Sequence, residues 1–397
     1  MLVLICGAIW AGLVVLLTFR AVREFRNYQQ ATIATTSGSC FSSADSVPEV
    51  SVIVPVRNEI ANVDLCLAGL SAQTGLSNRS GIIVVDDGSQ DGTRAAVERH
   101  IASDPRITLV EAGPLPAGWA GKPHACWRGA LVAEANWEAN WLCFIDADVR
   151  VDPELVASAV IAAEAERIDM LSLHPRQELG GFWERVVIPA GLLVLACAKH
   201  FEPMSQDVVN GQFLLIRHAA YFAVGGHCEV RGEICEDKAL AARIRAAGLS
   251  LQVRAAQHLA CTRMYRDLRS LWQGFAKNSA DALDSIGATL IAAAATFAFA
   301  WAALLLPAIT LFAAISAPSP AAVVGSIFAT IGTAIVIGIH FGTARYLRIP
   351  AIFGLTFTIG YTIVACLACH GVITQLSGRV TWKGRTYQLT KTSPRRA

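Results

Sequence analysis

The sequence predicts an α/β domain on an open, mostly parallel sheet with helices on both faces, flanked by transmembrane helices at both ends. Three observations lead there. Residues 2–19, 285–344 and 349–378 contain no Asp, Glu, Lys or Arg. Between these runs, short β-branched stretches alternate with helix-like ones, the pattern of parallel crossover units buried on both faces. Three of the stretches end in polar clusters: Arg57-Asn58-Glu59, Asp86-Asp87 and Asp146-Ala147-Asp148. Composition agrees. The 397 residues are 54% hydrophobic and 16% charged, whereas a typical soluble chain is about 25% charged. That excludes an ordinary soluble enzyme, and it excludes disorder, which needs low hydrophobicity. A net charge of +2 gives no basic field for nucleic acid. The eleven cysteines are scattered and odd in number, and read as small buried hydrophobes in a reducing compartment.

Taken in order, the first apolar run has the length of a bilayer core. No basic residue precedes it, and Arg20, Arg23 and Arg26 follow it. This favours an uncleaved anchor over 1–20 rather than a signal peptide, with the following domain on the cytoplasmic side. Residues 21–47 read as a linker, and 48–284 as the α/β domain. Its expected strands are 50–56, 81–85, 107–110 and 141–145, with helices at 60–72, 91–100 and from 233 to about 247. The stretch 186–198 is too short to span comfortably and suits an interfacial or core helix. Trp183 beside it is either packing or an acceptor contact. Residues 285–378 form a membrane region of two or three spans, broken at Pro318 and Pro320. The tail 379–397 carries Arg379, Lys383, Arg385, Lys391, Arg395 and Arg396 without an acid, and is expected at an anionic lipid surface. Four spans leave that tail outside, against the positive-inside tendency. A re-entrant segment, an extra crossing or a failure of the charge rule stay open.

In open α/β sheets, ligands bind beyond the carboxyl ends of the strands. One crevice would therefore collect Glu59, Asp86, Asp87, Asp146 and Asp148. Such acids repel one another unless a cation or donor groups neutralise them. Asp146 and Asp148 are two residues apart, so in an extended segment both project to one side. The pair suits a hard divalent ion, Mg²⁺ or Mn²⁺, that takes its other ligands from water and phosphate. An Asp-rich turn in solvent is the plainer reading of that pair alone. Its position beside two other acidic strand ends favours the ion. Asp86 and Asp87 are placed to accept hydrogen bonds from a ribose or base, while Ser89 or Asp91 would cap the next helix. Lys122, just before a helix in the 113–125 segment, can meet a diphosphate as a point charge. No P-loop or dinucleotide fingerprint is present. Glu233 and Glu236 read as partners of a helix dipole, and Asp237 as a candidate general base.

Together, Pro55-Val56-Arg57-Asn58-Glu59, Val85-Asp86-Asp87-Gly88-Ser89, Gly121-Lys122-Pro123-His124-Ala125, Asp146-Ala147-Asp148, Val224-Gly225-Gly226-His227 and Glu236-Asp237 resemble the family 2 glycosyltransferases. The resemblance covers about 50–280 and is specific as a set. It implies a GT-A fold, a nucleotide-sugar donor (a UDP-sugar in the expected form), Mg²⁺ or Mn²⁺, and inversion at the anomeric carbon. Glu59 and Asp87 would then contact the nucleotide, with Pro55, Asn58, Asp86, Lys122 and Asp146 completing the donor site. Asp146 and Asp148 would meet the diphosphate through the metal, and Asp237 would be the base. Gly118-Trp119-Ala120-Gly121-Lys122 and Trp272-Gln273-Gly274-Phe275-Ala276-Lys277-Asn278, with the 258–265 segment, look most like the hopene-associated branch. That implies a lipid acceptor, a hopanoid among the candidates, and a multi-pass protein of the bacterial inner membrane. Ceramide-glucosyltransferase-like enzymes are the nearest alternative. They and many processive members carry Q-x-x-R-W, and here Gln273 lacks the Arg and Trp, which argues against a polymerase and leaves Lys277 without a role. A metal-dependent nucleotidyltransferase and a non-catalytic scaffold are the readings from other classes. Cys366-Leu367-Ala368-Cys369-His370 fits a haem-attachment pattern by chance in an apolar helix.

Overall fold

The computed structural model describes residues 1–35, 49–136, 139–198, 209–279 and 285–388. Residues 36–47 of the expected linker, the tail residues Lys391, Arg395 and Arg396, and the side chain of Lys277 lie outside the described residues. In chain order the elements begin with α1 (Leu2–Gln30), β1 (Val50–Val56), α2 (Val63–Ser71), β2 (Gly81–Asp86), α3 (Thr93–Ser103) and β3 (Ile107–Glu111). They continue with α4 (Gly121–Asn136), β4 (Trp141–Ile145), β5 (Val149–Val151), α5 (Leu155–Ala165), β6 (Met170–His174) and β7 (Arg176–Gln177). After α6 (Phe182–Ala198) come β8 (Phe213–Arg217), α7 (His218–Ala223), α8 (Glu236–Ala246), β9 (Leu251–Ala255) and β10 (Ala260–Thr262). Then follow α9 (Leu268–Ser279), α10 (Ile286–Ser316), α11 (Pro320–Tyr346), α12 (Phe357–Ser377), β11 (Arg379–Trp382) and β12 (Arg385–Gln388).

Two compact units share this chain, and each is interrupted in sequence. One comprises Met1–Asn27, Leu179–Ser205 and Tyr265–Trp382. The other comprises Tyr28–Glu178, Gln206–Met264 and Lys383–Ala397. The block expected over 48–284 is thus divided, because 179–205 and the residues from Tyr265 cluster with the apolar helices. Nor does the first helix stop near residue 20. It runs to Gln30, because residues 21–30 contain no Gly or Pro and are mostly good helix formers.

The sheet unit is mixed but mostly parallel. Its seven strands lie in the order β3-β2-β1-β4-β8-β6-β9. The pairs β1–β2, β1–β4, β2–β3 and β6–β9 are parallel, while β8 runs antiparallel to both β4 and β6. Alternate residues of each apolar run feed different cores, which is why the runs read as continuous. Val52, Val54, Val84, Cys143 and Leu171 pack with Leu67, Val97 and Leu155 from α2, α3 and α5. Ile53, Ile83, Leu142, Phe144 and Leu214 pack with Ala130, Leu240 and Ile244 from α4 and α8. The mutually parallel strands β1, β2, β3 and β4 point their carboxyl ends at the same edge.

The fit of α4 on this sheet depends on Gly129. A Cβ there would lie 2.5 Å from Ile53 Cγ2 and 3.1 Å from Val85 Cγ2. Both neighbours are branched side chains of central strands with little room to turn. A larger residue gains only a few tenths of a kcal/mol in helix propensity when it is β-branched, whereas overpacking costs about 1–3 kcal/mol. Gly129→Val is therefore expected to lower the thermal midpoint of the detergent-solubilised protein; an unchanged midpoint would show that α4 can shift without cost.

The helical unit contains four helices long and apolar enough to cross a membrane: Leu2–Gln30, Ile286–Ser316, Pro320–Tyr346 and Ala351–Ser377. Large apolar side chains such as Ile9, Ile291, Phe312, Ile315 and Ile373 face outward, as lipid contact requires. Small residues let the backbones approach. A Cβ on Gly7 would lie 2.1 Å from the Gly325 carbonyl oxygen, and one on Gly360 2.4 Å from that of Val186. The short helix α6 buries Val186, Val187, Ile188 and Ala190 in this unit, which selects its packing role.

Candidate active site

Glu59, Asp86, Asp87, Asp146 and Asp148 stand where apolar strands give way to turns, and Glu236 and Asp237 in the first turn of α8. After β1, Asn58 adopts a left-handed φ of 52°, a conformation asparagine tolerates better than most residues. Its Oδ1 accepts from the Gln90 N–H at 2.8 Å, and its own N–H donates to Ser89 Oγ at 3.0 Å. The β1 and β2 turns are thereby laced together. Glu59 N–H donates to Thr93 Oγ1 at 2.8 Å, while Glu59 Oε2 accepts from Asn62 Nδ2 at 2.8 Å. Pro55 is half-buried one residue before the end of β1, opposite Val85. Asp86 is buried and committed to its own turn, with Oδ1 accepting from Ser89 N–H at 2.9 Å and Ser89 Oγ at 2.6 Å. Asp87 is also buried, and its Oδ1 has no hydrogen-bond partner.

A second group lies beyond β4. Asp146 Oδ1 is 2.7 Å from Lys122 Nζ, and the same ammonium is 2.8 Å from Glu236 Oε1. Lys122 stands in the first turn of α4 and Glu236 in the first turn of α8, so two helix starts converge on the end of β4. Burial alone would lower the Lys122 pKa, but Asp146 and Glu236 hold it well above the usual value, and it stays charged. Asp237, the next residue, does not touch Lys122. Its Oδ2 accepts from Gly211 N–H at 2.8 Å and its Oδ1 from Lys238 N–H at 2.8 Å. Gly211 permits this closeness, since a Cβ there would be 3.0 Å from Asp237 Oδ2 and 3.2 Å from Lys122 Nζ. Burial, then the Glu236 charge, raises the Asp237 pKa above the ordinary carboxylate value.

Asp148 is the most exposed to conflict. Burial pushes its pKa up to about 7, and the charges of Asp146 and Glu59 add to the rise. Its Oδ1 is buried without a partner. Asp146 is raised as well, by burial, with Lys122 working against the rise. An orphaned carboxylate oxygen beside a second carboxylate fits a cation. Among the described residues, no group of three or more His, Cys, Asp or Glu is arranged to hold an ion by itself. The pair therefore suits a metal that draws further ligands from a diphosphate and water.

Four further participants were not legible as such in the sequence. Glu236 read as a helix-dipole partner, yet it shares Lys122 with Asp146. Gly211 gave only a polar break before β8. The largest correction concerns the tail. Lys383 and Arg385, expected at a lipid surface, instead contact the acids: Lys383 Nζ pairs with Glu59 Oε1 and Arg385 Nη1 with Asp87 Oδ2. Lys383 Nζ also donates to the Arg57 carbonyl at 3.3 Å, and Arg57 Nε to the Lys383 carbonyl at 3.3 Å. A basic run reads identically in sequence whether lipid or protein supplies its anions.

The fold and this acid-lined strand edge define a GT-A-like α/β domain with a carboxylate pair suited to a metal-bound diphosphate. Residues 51–191 match the family described as glycosyl transferase family 2. The chain is 25% identical over 243 residues to a 4,4'-diaponeurosporenoate glycosyltransferase of Staphylococcus haemolyticus, covering 59% of this chain and 62% of that protein. It is 27% identical over 238 residues to the enzyme of that name from Staphylococcus aureus strain MRSA252, covering 58% and 60%. The match thus spans about three fifths of these relatives' own length. Among solved structures, the fold is similar to mannosyltransferase PcManGT from Pyrobaculum calidifontis in complex with GDP-Man and Mn²⁺. The TM-score is 0.51 at 18% identity, covering 94% of this chain and 97% of that one.

Proposed function

We propose that the protein is a membrane-bound, inverting glycosyltransferase that moves a sugar from a nucleotide-sugar, in the expected case a UDP-sugar, to the hydroxyl of a lipid. The observation that carries this reading is the pairing of two sites on one strand edge. Asp146 and Asp148 stand ready for a metal-bound diphosphate, and Asp237 is held by two backbone N–H groups with its pKa raised. A divalent ion, when bound, would supply charge stabilisation for the leaving diphosphate. Glu59 and Asp87 would orient the nucleotide. Lys122, kept charged by Asp146 and Glu236, would add a fixed positive charge near the leaving group. Asp237 would take the acceptor's proton as its oxygen bonds to the anomeric carbon and the bond to the diphosphate breaks.

The base argues for the acceptor's chemistry. The relatives named above are named for an acid, 4,4'-diaponeurosporenoate, and an ionised acid needs no base. A carboxylate whose proton affinity is raised by burial suits a hydroxyl instead, a hopanoid alcohol being one candidate. The expected result is nucleoside diphosphate release by the detergent-solubilised protein that depends on a lipid alcohol. Release of pyrophosphate would overturn this reading in favour of a nucleotidyltransferase.

We further propose an orientation. Met264 and Lys383 both belong to the sheet unit, and a sheet unit kept on one side of the bilayer would require an even number of crossings between them. Two of α10, α11 and α12 would cross while the third re-enters or lies along the surface, and the basic tail stays with the domain on the cytoplasmic side, as the positive-inside tendency favours.

A further inference from the structure

Lys383 and Arg385 sit on Glu59 Oε1 and Asp87 Oδ2, oxygens assigned above to the nucleotide. Ribose hydroxyls and base N–H groups are donors, and at these oxygens they would compete with an ammonium and a guanidinium already in place. Lys383 lies in a tight turn and Arg385 directly follows it: Lys383 and Gly384 have φ of 45° and 77°, the double left-handed geometry of a two-residue hairpin loop. The side chains are long and only partly buried, with relative exposures of 35% for Lys383 and 23% for Arg385. They can therefore change partner without unfolding anything. Lys383 also acts electrostatically on Asp146 and Asp148, so its charge already reaches the place where a diphosphate would sit.

Charge shows why a change of partner would be needed. A nucleoside diphosphate brings further negative charge into an edge already lined by Glu59, Asp87, Asp146, Asp148, Glu236 and Asp237. Lys122 is engaged by two of these. A single divalent ion does not offset the rest.

We propose that Lys383 and Arg385 form a donor-binding turn, paired with Glu59 and Asp87 and carried onto the donor's diphosphate when the nucleotide takes those acids. This rests on the donor-binding reading given above. The turn would make nucleotide binding and charge neutralisation one event. Substrate selection follows, because a nucleoside or nucleoside monophosphate lacks the diphosphate that rewards the exchange.

The test is calorimetric titration of the full-length protein in detergent with uridine diphosphate, guanosine diphosphate and the corresponding monophosphates, each with Mn²⁺. The double variant Lys383→Met, Arg385→Met is expected to bind its preferred diphosphate roughly 10–100-fold more weakly, the size of lost charge-assisted hydrogen bonds. Affinity for the monophosphate should change much less. The charge-conserving Lys383→Arg, Arg385→Lys should keep most of the diphosphate affinity, which separates direct contact from mere support of the fold. Unchanged or tighter diphosphate binding in the Met variant would overturn the proposal while leaving the function intact; tighter binding would mean that the turn only obstructs. If the native protein binds neither diphosphate, the donor-binding reading falls and takes this proposal with it.

Discussion

Asp237→Asn is expected to lower sugar transfer by about 10²–10⁴-fold, the contribution of a positioned base, while nucleotide binding survives. Asparagine nearly matches the shape of aspartate but cannot take a proton. Either of its terminal atoms facing Gly211 N–H retains a hydrogen bond only if the amide oxygen turns that way, and Lys238 N–H then loses its acceptor. A small loss of stability should accompany the loss of rate. Glu236→Gln is the informative companion. It leaves Lys122 with Asp146 alone, so it should disturb donor affinity as well as turnover, whereas Asp237→Asn should spare affinity. Near-normal turnover in Asp237→Asn would reject the assignment. A collapse confined to Glu236→Gln would move the base one residue back.

Asp148→Ala should separate stability from activity. If Asp146 and Asp148 face the metal as proposed, loss of one carboxylate removes several kcal/mol of charge stabilisation in the transition state, so turnover with Mg²⁺ or Mn²⁺ should fall by roughly 10²-fold or more. Stability should move the other way. In chelator, Asp148 keeps its proton in the folded protein up to about pH 7, while the unfolded chain loses it near the ordinary carboxylate value of about 3.9. Between those values the folded state binds more protons, so the native protein loses stability as pH rises, and the loss levels off above 7. The alanine variant lacks this slope. Thermal midpoints in chelator at pH 5 and pH 8 check it: the variant should gain on the native protein at the higher pH. Normal turnover in excess chelator would refute the metal assignment itself.

What could be read from sequence divides along physical lines. The strands β1, β2 and β4 were plain because burial on both faces leaves unbroken apolar runs. The acids at their ends were plain because a carboxylate directly after such a run has few structural reasons to be there. Lys122 was found from its position at a helix start. Its partner Glu236 was not, since that pairing depends on how two helices far apart in sequence converge. The strands β6, β8 and β9 were not anticipated, and with β8 its reversal, since an antiparallel strand inside a buried sheet carries the same apolar signature as parallel ones. The length of α1 was missed where composition turned polar without breaking the helix. Polarity marks an exit from lipid, not an end of helix.

The pairs Glu59–Lys383 and Asp87–Arg385 join residues 324 and 298 positions apart in the chain. A biochemist seeking a tractable soluble fragment would cut around the sheet, at residues 49–264, and would keep every strand of it. Such a fragment would leave two cations behind with the discarded helices. Its acid-lined edge would lack the two cations that pair with Glu59 and Asp87 in the whole protein. On the reading proposed above, measurements on it would understate donor affinity and overstate the dependence on divalent ions. The shortest piece that contains the full site runs into the membrane region and back out again.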